Sequence, residues 1–359
     1  MYGAGDIEPG RAMLAMNFLM DRSPDNWKRK LAGLKEKVGA CRSDEPIKPI
    51  EAAQVSDAGK VELGKKLYFD PRLSKSGFIS CNSCHNLSMG GTDNIKTSIG
   101  HNWQEGPINA PTVLNSSLNV AQFWDGRAAT LEEQAKGPPA NAIEMGMPNL
   151  DAVIGRVRNI PGYKPYFEKA FGAGDVVTMD NVAKAIAAYE RTLITPNSAY
   201  DRYARGETKA LTEQQVRGLN ALADVGCTSC HQGPTFSGPP LPVGTGFFMK
   251  FPTYPDSPYV AKYDFLSDSG RASATRDDAD KNVWRVPGLR NLVYTAPYFH
   301  NGQVHTIDEA VRIMASTQLN QSLSDAQVAD IVAFLQTLSG PFPTQQMPRL
   351  PPTPGDLID

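Results

Sequence analysis

Two short segments, CNSCH at 81–85 and CTSCH at 227–231, each place two cysteines three positions apart with a histidine directly after the second. Thiols and an imidazole at that spacing can grip zinc, run thiol–disulfide exchange, or hold a haem. A four-ligand zinc site wants two CxxC pairs about 15–20 residues apart, or one pair with a spaced histidine pair. Here the pairs stand far apart, at 81 and 227, and each has its own histidine. A thioredoxin-type dithiol has no use for that histidine. Covalent c-type haem attachment uses all three residues: two thioethers fix the vinyl edges and the histidine reaches the iron from the proximal side. The two copies take four of the five cysteines, which leaves no disulfide framework; Cys41 is given no role. Two covalently bound c-type haems are expected, one on Cys81, Cys84 and His85, the other on Cys227, Cys230 and His231.

Each iron then has one further axial position, and its occupant sets the chemistry. Besides the two proximal residues, the histidines are His101, His300 and His305. His101 lies in SIGHNWQEGP, a loop bounded by Gly and Pro, near enough in sequence to His85 to fold back over the first haem. A lone loop histidine is ordinarily a surface residue. Met314, in AVRIMASTQL, is a candidate for the second haem, although methionine is also common core filler. Spacing alone does not separate these readings.

The elements that must position these groups read as helices. DAGKVELGKKLYFD precedes the first CxxCH and ALTEQQVRGLNALADVG the second, so the pattern of helix, CxxCH and loop-rich stretch occurs twice. Capping-box pairs stand at Thr130/Glu133, Thr212/Gln215, Thr306/Glu309 and Ser324/Gln327. The last opens SDAQVADIVAFLQTL, where Val328, Ile331, Val332, Leu335 and Leu338 form one apolar face. DNVAKAIAAYERTLI is a further amphipathic helix, and no alternating strand run stands out. The expected fold is mainly α: two cytochrome c-like haem domains with long irregular loops, related by an internal repeat. The expected divisions are an extension at 1–50, haem domains at 51–200 and 201–340, and a Pro-rich tail at 341–359 lying as an extended strap.

The bulk composition narrows the function classes. Hydrophobic residues make up 41% and charged residues 21%, an ordinary globular balance. A net charge of -2 argues against nucleic acid as a partner, which calls for a basic surface. No apolar run approaches the ~20 residues of a membrane span. The N-terminal MYGAGDIEPGRAMLAMNFLMD lacks the basic region, apolar core and cleavage site of a signal peptide. Covalent haem attachment nevertheless points to the bacterial periplasm, and thus to a processed or altered form of the chain.

From about 56 to 340 the sequence resembles the bacterial dihaem cytochrome c peroxidases. The resemblance rests on LYFDPRLSKSGFISCNSCHNL, TSIGHNWQEGPINAPTVLN, NVAQFWDGRAATLEEQAKGP, VAKAIAAYERTLITPNSAYDRY, RVPGLRNLVYTAPYFHNG and IVAFLQTLSG. It implies a peroxidatic, low-potential haem on Cys81, Cys84 and His85, closed at rest by His101 as a detachable ligand. It implies a high-potential, electron-entry haem on Cys227, Cys230 and His231 with Met314 as sixth ligand. Thioether ligation agrees with that order, since it raises the potential relative to two histidines. Glu144 matches the family's distal acid/base, Gln134 a second distal polar residue, and Trp124 the indole between the haems; Phe123 matches the pocket lining. Asn109, Thr295 and Pro297 match an interdomain calcium site built from an amide and carbonyl oxygens. His300 resembles a residue beside a haem propionate. The implied activity is reduction of hydrogen peroxide to water with two electrons from a small c-type cytochrome or cupredoxin, by a homodimer activated when His101 is released. One rival is the related dihaem enzyme that matures a tryptophan-derived quinone, which carries a tyrosine where Met314 stands. A second is a plain dihaem electron carrier, for which Glu144 and Gln134 have no use.

Overall fold

The computed structural model describes residues 47–353 and 355, apart from 56. Most of the expected N-terminal extension, with Cys41 and the basic cluster Lys28, Arg29 and Lys30, lies outside the described residues.

The fold is mainly helical. Asp57 begins α1 (Ala58–Phe69) by accepting a hydrogen bond from the Lys60 amide, which satisfies one of the donors left open at a helix start. Three further helices complete the first half: α2 (Leu150–Arg158), α3 (Lys164–Phe171) and α4 (Met179–Glu190). Asn149 and Thr178 cap α2 and α4 in the same way as Asp57. Leu63, Leu67, Val153, Phe167, Val182 and Ile186 form the core between these helices.

The second half contains α5 (Ala199–Ala204), α6 (Glu213–Val225), α7 (Ile307–Leu319) and α8 (Asp325–Gln336). Tyr200, Leu222, Phe236, Ile331, Phe334, Leu335 and Leu338 form its core. The Thr212/Gln215 and Ser324/Gln327 boxes are complete. The other two pairs are half-formed. Glu133 reaches the Ala129 amide instead of that of Thr130, and the Glu309 carboxylate is taken by Lys262 and Tyr263. A two-stranded antiparallel ribbon, β1 (Phe248–Lys250) with β2 (Val283–Arg285), escaped the periodicity reading because three-residue strands hold too few residues to alternate.

In each half the helix before the CxxCH segment crosses a later helix at a glycine. A Cβ on Gly64 of α1 would overlap the Ala185 carbonyl of α4, and one on Gly218 of α6 would overlap the Asp330 carbonyl of α8. Glycine is needed at both because the backbones touch.

Long-range polar contacts hold the loops. Arg290 and Asp201 make a buried ion pair at 2.7 Å, and Arg290 also donates to the Pro234 carbonyl at 2.6 Å. Breaking such a pair on one side costs ~3–5 kcal/mol, because a buried charge is left alone. After α8 the chain runs back over the first half: Gln345 accepts from the Tyr189 hydroxyl, the Arg349 carbonyl from Lys66, and the Pro351 carbonyl from Arg72.

Gly64→Ala and Gly218→Ala should each destabilise the holoprotein by ~1–3 kcal/mol through overpacking, outweighing the ~1 kcal/mol that alanine gains in helix propensity. Denaturant unfolding followed by circular dichroism checks this; unchanged midpoints would refute the close crossing.

Candidate haem sites and the junction between them

Both CxxCH segments form a single tight turn. Ser80 caps the Cys81–Cys84 turn, and the His85 amide closes it onto the Cys81 carbonyl at 2.9 Å. At the second site Gly226, in the left-handed region at φ 101, ends α6 and starts the Cys227–Ser229 turn. The His231 amide closes onto the Cys227 carbonyl at 3.0 Å.

The imidazoles are held alike. His85 donates from Nδ1 to the Pro111 carbonyl at 3.0 Å, and His231 from Nδ1 to the Phe236 carbonyl at 2.8 Å. A carbonyl can only accept, so the proton sits on Nδ1 and the Nε2 lone pair is left for a metal. Burial pushes both imidazoles below the usual histidine range and so favours the neutral, ligating form. The Tyr68 hydroxyl donates to the His85 carbonyl at 2.6 Å and braces the first site from α1.

The four motif cysteines are free. Burial pushes the Cys81 and Cys227 thiols up to about 12 and Cys84 to about 11, and raises Cys230 as well. Neutral thiols are unsuited to thiolate chemistry. Among the described residues no three Cys, His, Asp or Glu side chains gather as a metal cluster, so neither motif finds partners for zinc. Paired free thiols beside an imidazole with a free Nε2 fit a covalently bound haem.

His101 opens a short turn, His101–Trp103, with Asn102 and Trp103 at positive φ. The His101 amide donates to the carbonyls of Ile143 at 2.7 Å and Glu144 at 2.9 Å. Its ring lies against Gly146, where a Cβ would meet the imidazole, and a Cβ on Gly100 would overlap the Ile143 carbonyl. The His101 Nδ1 is buried without a hydrogen-bond partner. The loops carrying His101 and Glu144 are therefore in direct backbone contact. Burial raises the Glu144 carboxyl above the usual range, opposed by the Arg127 charge. Its charge adds, after burial, to the upward push on the Cys81 and Cys84 thiols. Asn141 Nδ2 donates to Glu144 Oε1 at 3.0 Å and orients it.

Gln134 ends the short helix Leu131–Gln134, half-buried. Phe123 has φ 67, with the Arg127 guanidinium 3.5 Å from the centre of its ring. Sequence reasoning did not single out Tyr68, Arg127 or Gly146. Only Gly146, in the EMGMP stretch, left a signal, as a glycine in a turn.

Met314 is half-buried on α7 and packs in a cluster with Trp124, Phe251, Phe265, Trp284 and Ile313. Ile307 and Val311, at helical spacing on the same helix, pack in the cluster that includes Cys227. At its end, α7 approaches α6 through Gln321, which donates to the Val225 carbonyl at 3.1 Å.

Trp124 joins the two halves. Its Nε1 donates to the Asn109 carbonyl at 2.8 Å, the Asn109 amide donates to the His300 carbonyl at 2.8 Å, and the rings of Trp124 and His300 meet edge to face at 6.5 Å. Asn109 Nδ2 donates to the carbonyls of Ile95 and Lys96, leaving its Oδ1 as an acceptor. Asn94 Nδ2 donates to the Tyr294 and Ala296 carbonyls, which brings Thr295 and Pro297 to the same junction.

Two closed CxxCH turns with pre-set histidines, joined through an indole, define a dihaem c-type protein. A family model described as di-haem cytochrome c peroxidase matches residues 58–209. The cytochrome c551 peroxidase of Nitrosomonas europaea is 49% identical over 319 residues, covering 89% of this chain and 91% of the relative. That of Pseudomonas aeruginosa is 48% identical over 292 residues, 81% of each. A solved MauG-like protein associated with microbial copper homeostasis aligns with a TM-score of 0.69 at 28% identity, covering 84% of this chain and 96% of that one. The chain belongs to the dihaem cytochrome c peroxidase family, which implies two c-type haems.

Gly146→Ala should push the His101 ring out of place. The expected outcome is a changed ratio of low-spin to high-spin signal from the first haem of the oxidised holoprotein, read by electron paramagnetic resonance. An unchanged spectrum would show that the ring does not depend on Gly146.

Proposed function

We propose that the chain reduces hydrogen peroxide to water with two electrons from a small c-type cytochrome or cupredoxin in the bacterial periplasm. The carrying observation is Glu144: a half-buried carboxyl that burial shifts upward, on a loop in backbone contact with His101. A general acid/base works best when its pKa lies near the working pH, and burial moves this carboxyl in that direction. Among the described residues no helix is long and apolar enough to cross a membrane.

Cys81, Cys84 and His85 would hold the first haem, which would supply redox chemistry for peroxide reduction. Glu144 takes the proton from one peroxide oxygen and returns it to the other, which leaves as water. Gln134 hydrogen-bonds peroxide, and Phe123 limits the water around it. Two electrons and two further protons complete two water molecules. Cys227, Cys230, His231 and Met314 would hold the second haem, which would supply the entry point for electrons, with Trp124 on the route between the two sites. Asn109, Thr295 and Pro297 would hold a calcium ion at the junction.

His101 is the resting lock. Its unpartnered Nδ1 and its few ties beyond the loop backbone leave the ring free to be held by a metal or to swing away. Supply of one electron to the second site releases it, an order–disorder switch of a segment. The two halves are read as repeated haem domains at 51–200 and 201–340, supported by the paired glycine crossings, and the enzyme as a homodimer.

Glu144→Gln should keep both haems and lose turnover by ~10²–10⁴-fold. Steady-state peroxide reduction is the measurement, and wild-type rates would remove Glu144 from the mechanism. His101→Gly should react with peroxide while fully oxidised, whereas the parent waits for an electron. Rapid mixing of the oxidised forms decides it; equal and fast rates would mean there is no lock.

A further inference from the structure

Glu190, the last residue of α4, is 6% exposed, and its Oε2 is buried without a hydrogen-bond partner. The adjoining cation is engaged elsewhere, since Arg191 pairs with Glu132 at 2.8 Å. Tyr189 and Leu193, which flank Glu190 on the chain, pack in one cluster with Tyr68, Leu87 and Cys81. The rings of Tyr68 and Tyr189 meet edge to face at 5.3 Å, and Tyr68 in turn holds the His85 carbonyl. An unpaired carboxyl thus stands on the attachment side of the first site. After burial, its charge is the next largest push on the Cys81 thiol.

A carboxylate taken out of water without a counter-charge is unstable, and the partial negative charge at a helix C-terminus disfavours it further. Burial pushes Glu190 up to about 8, opposed by the Arg191 charge and helped by that of Glu132. The other titratable groups on this side do not respond. Burial raises the Tyr68 and Tyr189 hydroxyls, so both stay neutral, and a thioether on Cys81 has no proton to lose. An oxidised haem iron adds positive charge nearby and favours the carboxylate, whereas reduction removes that charge. Glu190 is placed to answer the difference.

We propose that Glu190 binds one proton from solvent each time an electron reaches the haem on Cys81, Cys84 and His85, and releases it when that electron leaves. This rests on the dihaem reading. One electron and one proton enter together, the carboxylate becomes a carboxyl, and the buried charge is unchanged. The sign follows from the two states. With the haem reduced, burial holds the carboxyl at about 8; with the haem oxidised, the added positive charge holds it lower. Proton uptake therefore accompanies reduction between those two values. The midpoint potential of the first haem falls as pH rises towards about 8 and levels off above it.

The test is spectroelectrochemical titration of the loaded parent, Glu190→Gln and Glu190→Asp at pH values on both sides of about 8. Below that point the equilibrium constant for reducing the parent's first haem should fall by up to ~10-fold per pH unit, the limit for one proton per electron. Glu190→Gln should lose that dependence and Glu190→Asp keep part of it, with the second haem alike in all three. His101, Glu144 and Arg127 are present in every sample, so the difference between parent and Glu190→Gln isolates Glu190. In redox difference infrared spectra, the C=O stretch of a protonated carboxyl should appear when the parent is reduced and be missing from Glu190→Gln. A Glu190→Gln slope equal to the parent's would overturn the proposal, as would a parent with no such band. Should Glu190→Gln fail to load, Glu190→Asp decides: its band should shift, and an identical band overturns the assignment. The number of haems per chain, from pyridine haemochrome spectra of the same samples, tests the dihaem reading separately.

Discussion

Each CxxCH histidine gives its Nδ1 proton to a backbone carbonyl, and the rest of the structure is arranged to keep that bond. It fixes the tautomer, the ring plane and the neutral state at once. The acceptors are supplied from outside the motif. Pro111 comes from a loop beyond the first site, anchored nearby where the Asn115 amide donates to the Leu193 carbonyl. Phe236 packs fully buried between Tyr200 and Phe334. A shift in either helix core therefore moves a haem ligand. The glycine crossings, the Arg290–Asp201 pair and the returning C-terminal segment all limit such shifts.

The junction between the halves is built on backbone groups. Trp124, Asn109, His300 and Arg285 are linked through main-chain carbonyls and amides, and Asn94 reaches across to two carbonyls. Backbone contacts hold position without dictating many side chains. They leave the rings of Trp124, His300 and Trp284 as a continuous aromatic group at the junction.

The distal side of the first site follows the opposite principle. His101 is fixed mainly through its own amide and a glycine surface, and Trp103 beside it is 88% exposed. Few buried apolar contacts mean a small cost for opening locally. Because the His101 amide rests on the Ile143 and Glu144 carbonyls, displacement of the histidine reaches the loop that carries Glu144.

The sequence by itself determined what depends on local order. The CxxCH spacing specifies attachment because three reacting groups must fall on one turn. The helices before each motif, and two of the four capping boxes, follow from patterns within four residues. The long motif matches were enough to identify the family. What the sequence could not supply is contact between distant segments. Thr306 and Glu309 look like a closed box, yet Lys262 and Tyr263 claim the glutamate from elsewhere in the chain. Gly64 and Gly218 look like ordinary helix glycines until a second backbone lies against each. Arg285 and Trp284 are given no role from the sequence. Only the tertiary structure buries them with His300 and without a counter-charge, because burial and pairing depend on the whole chain.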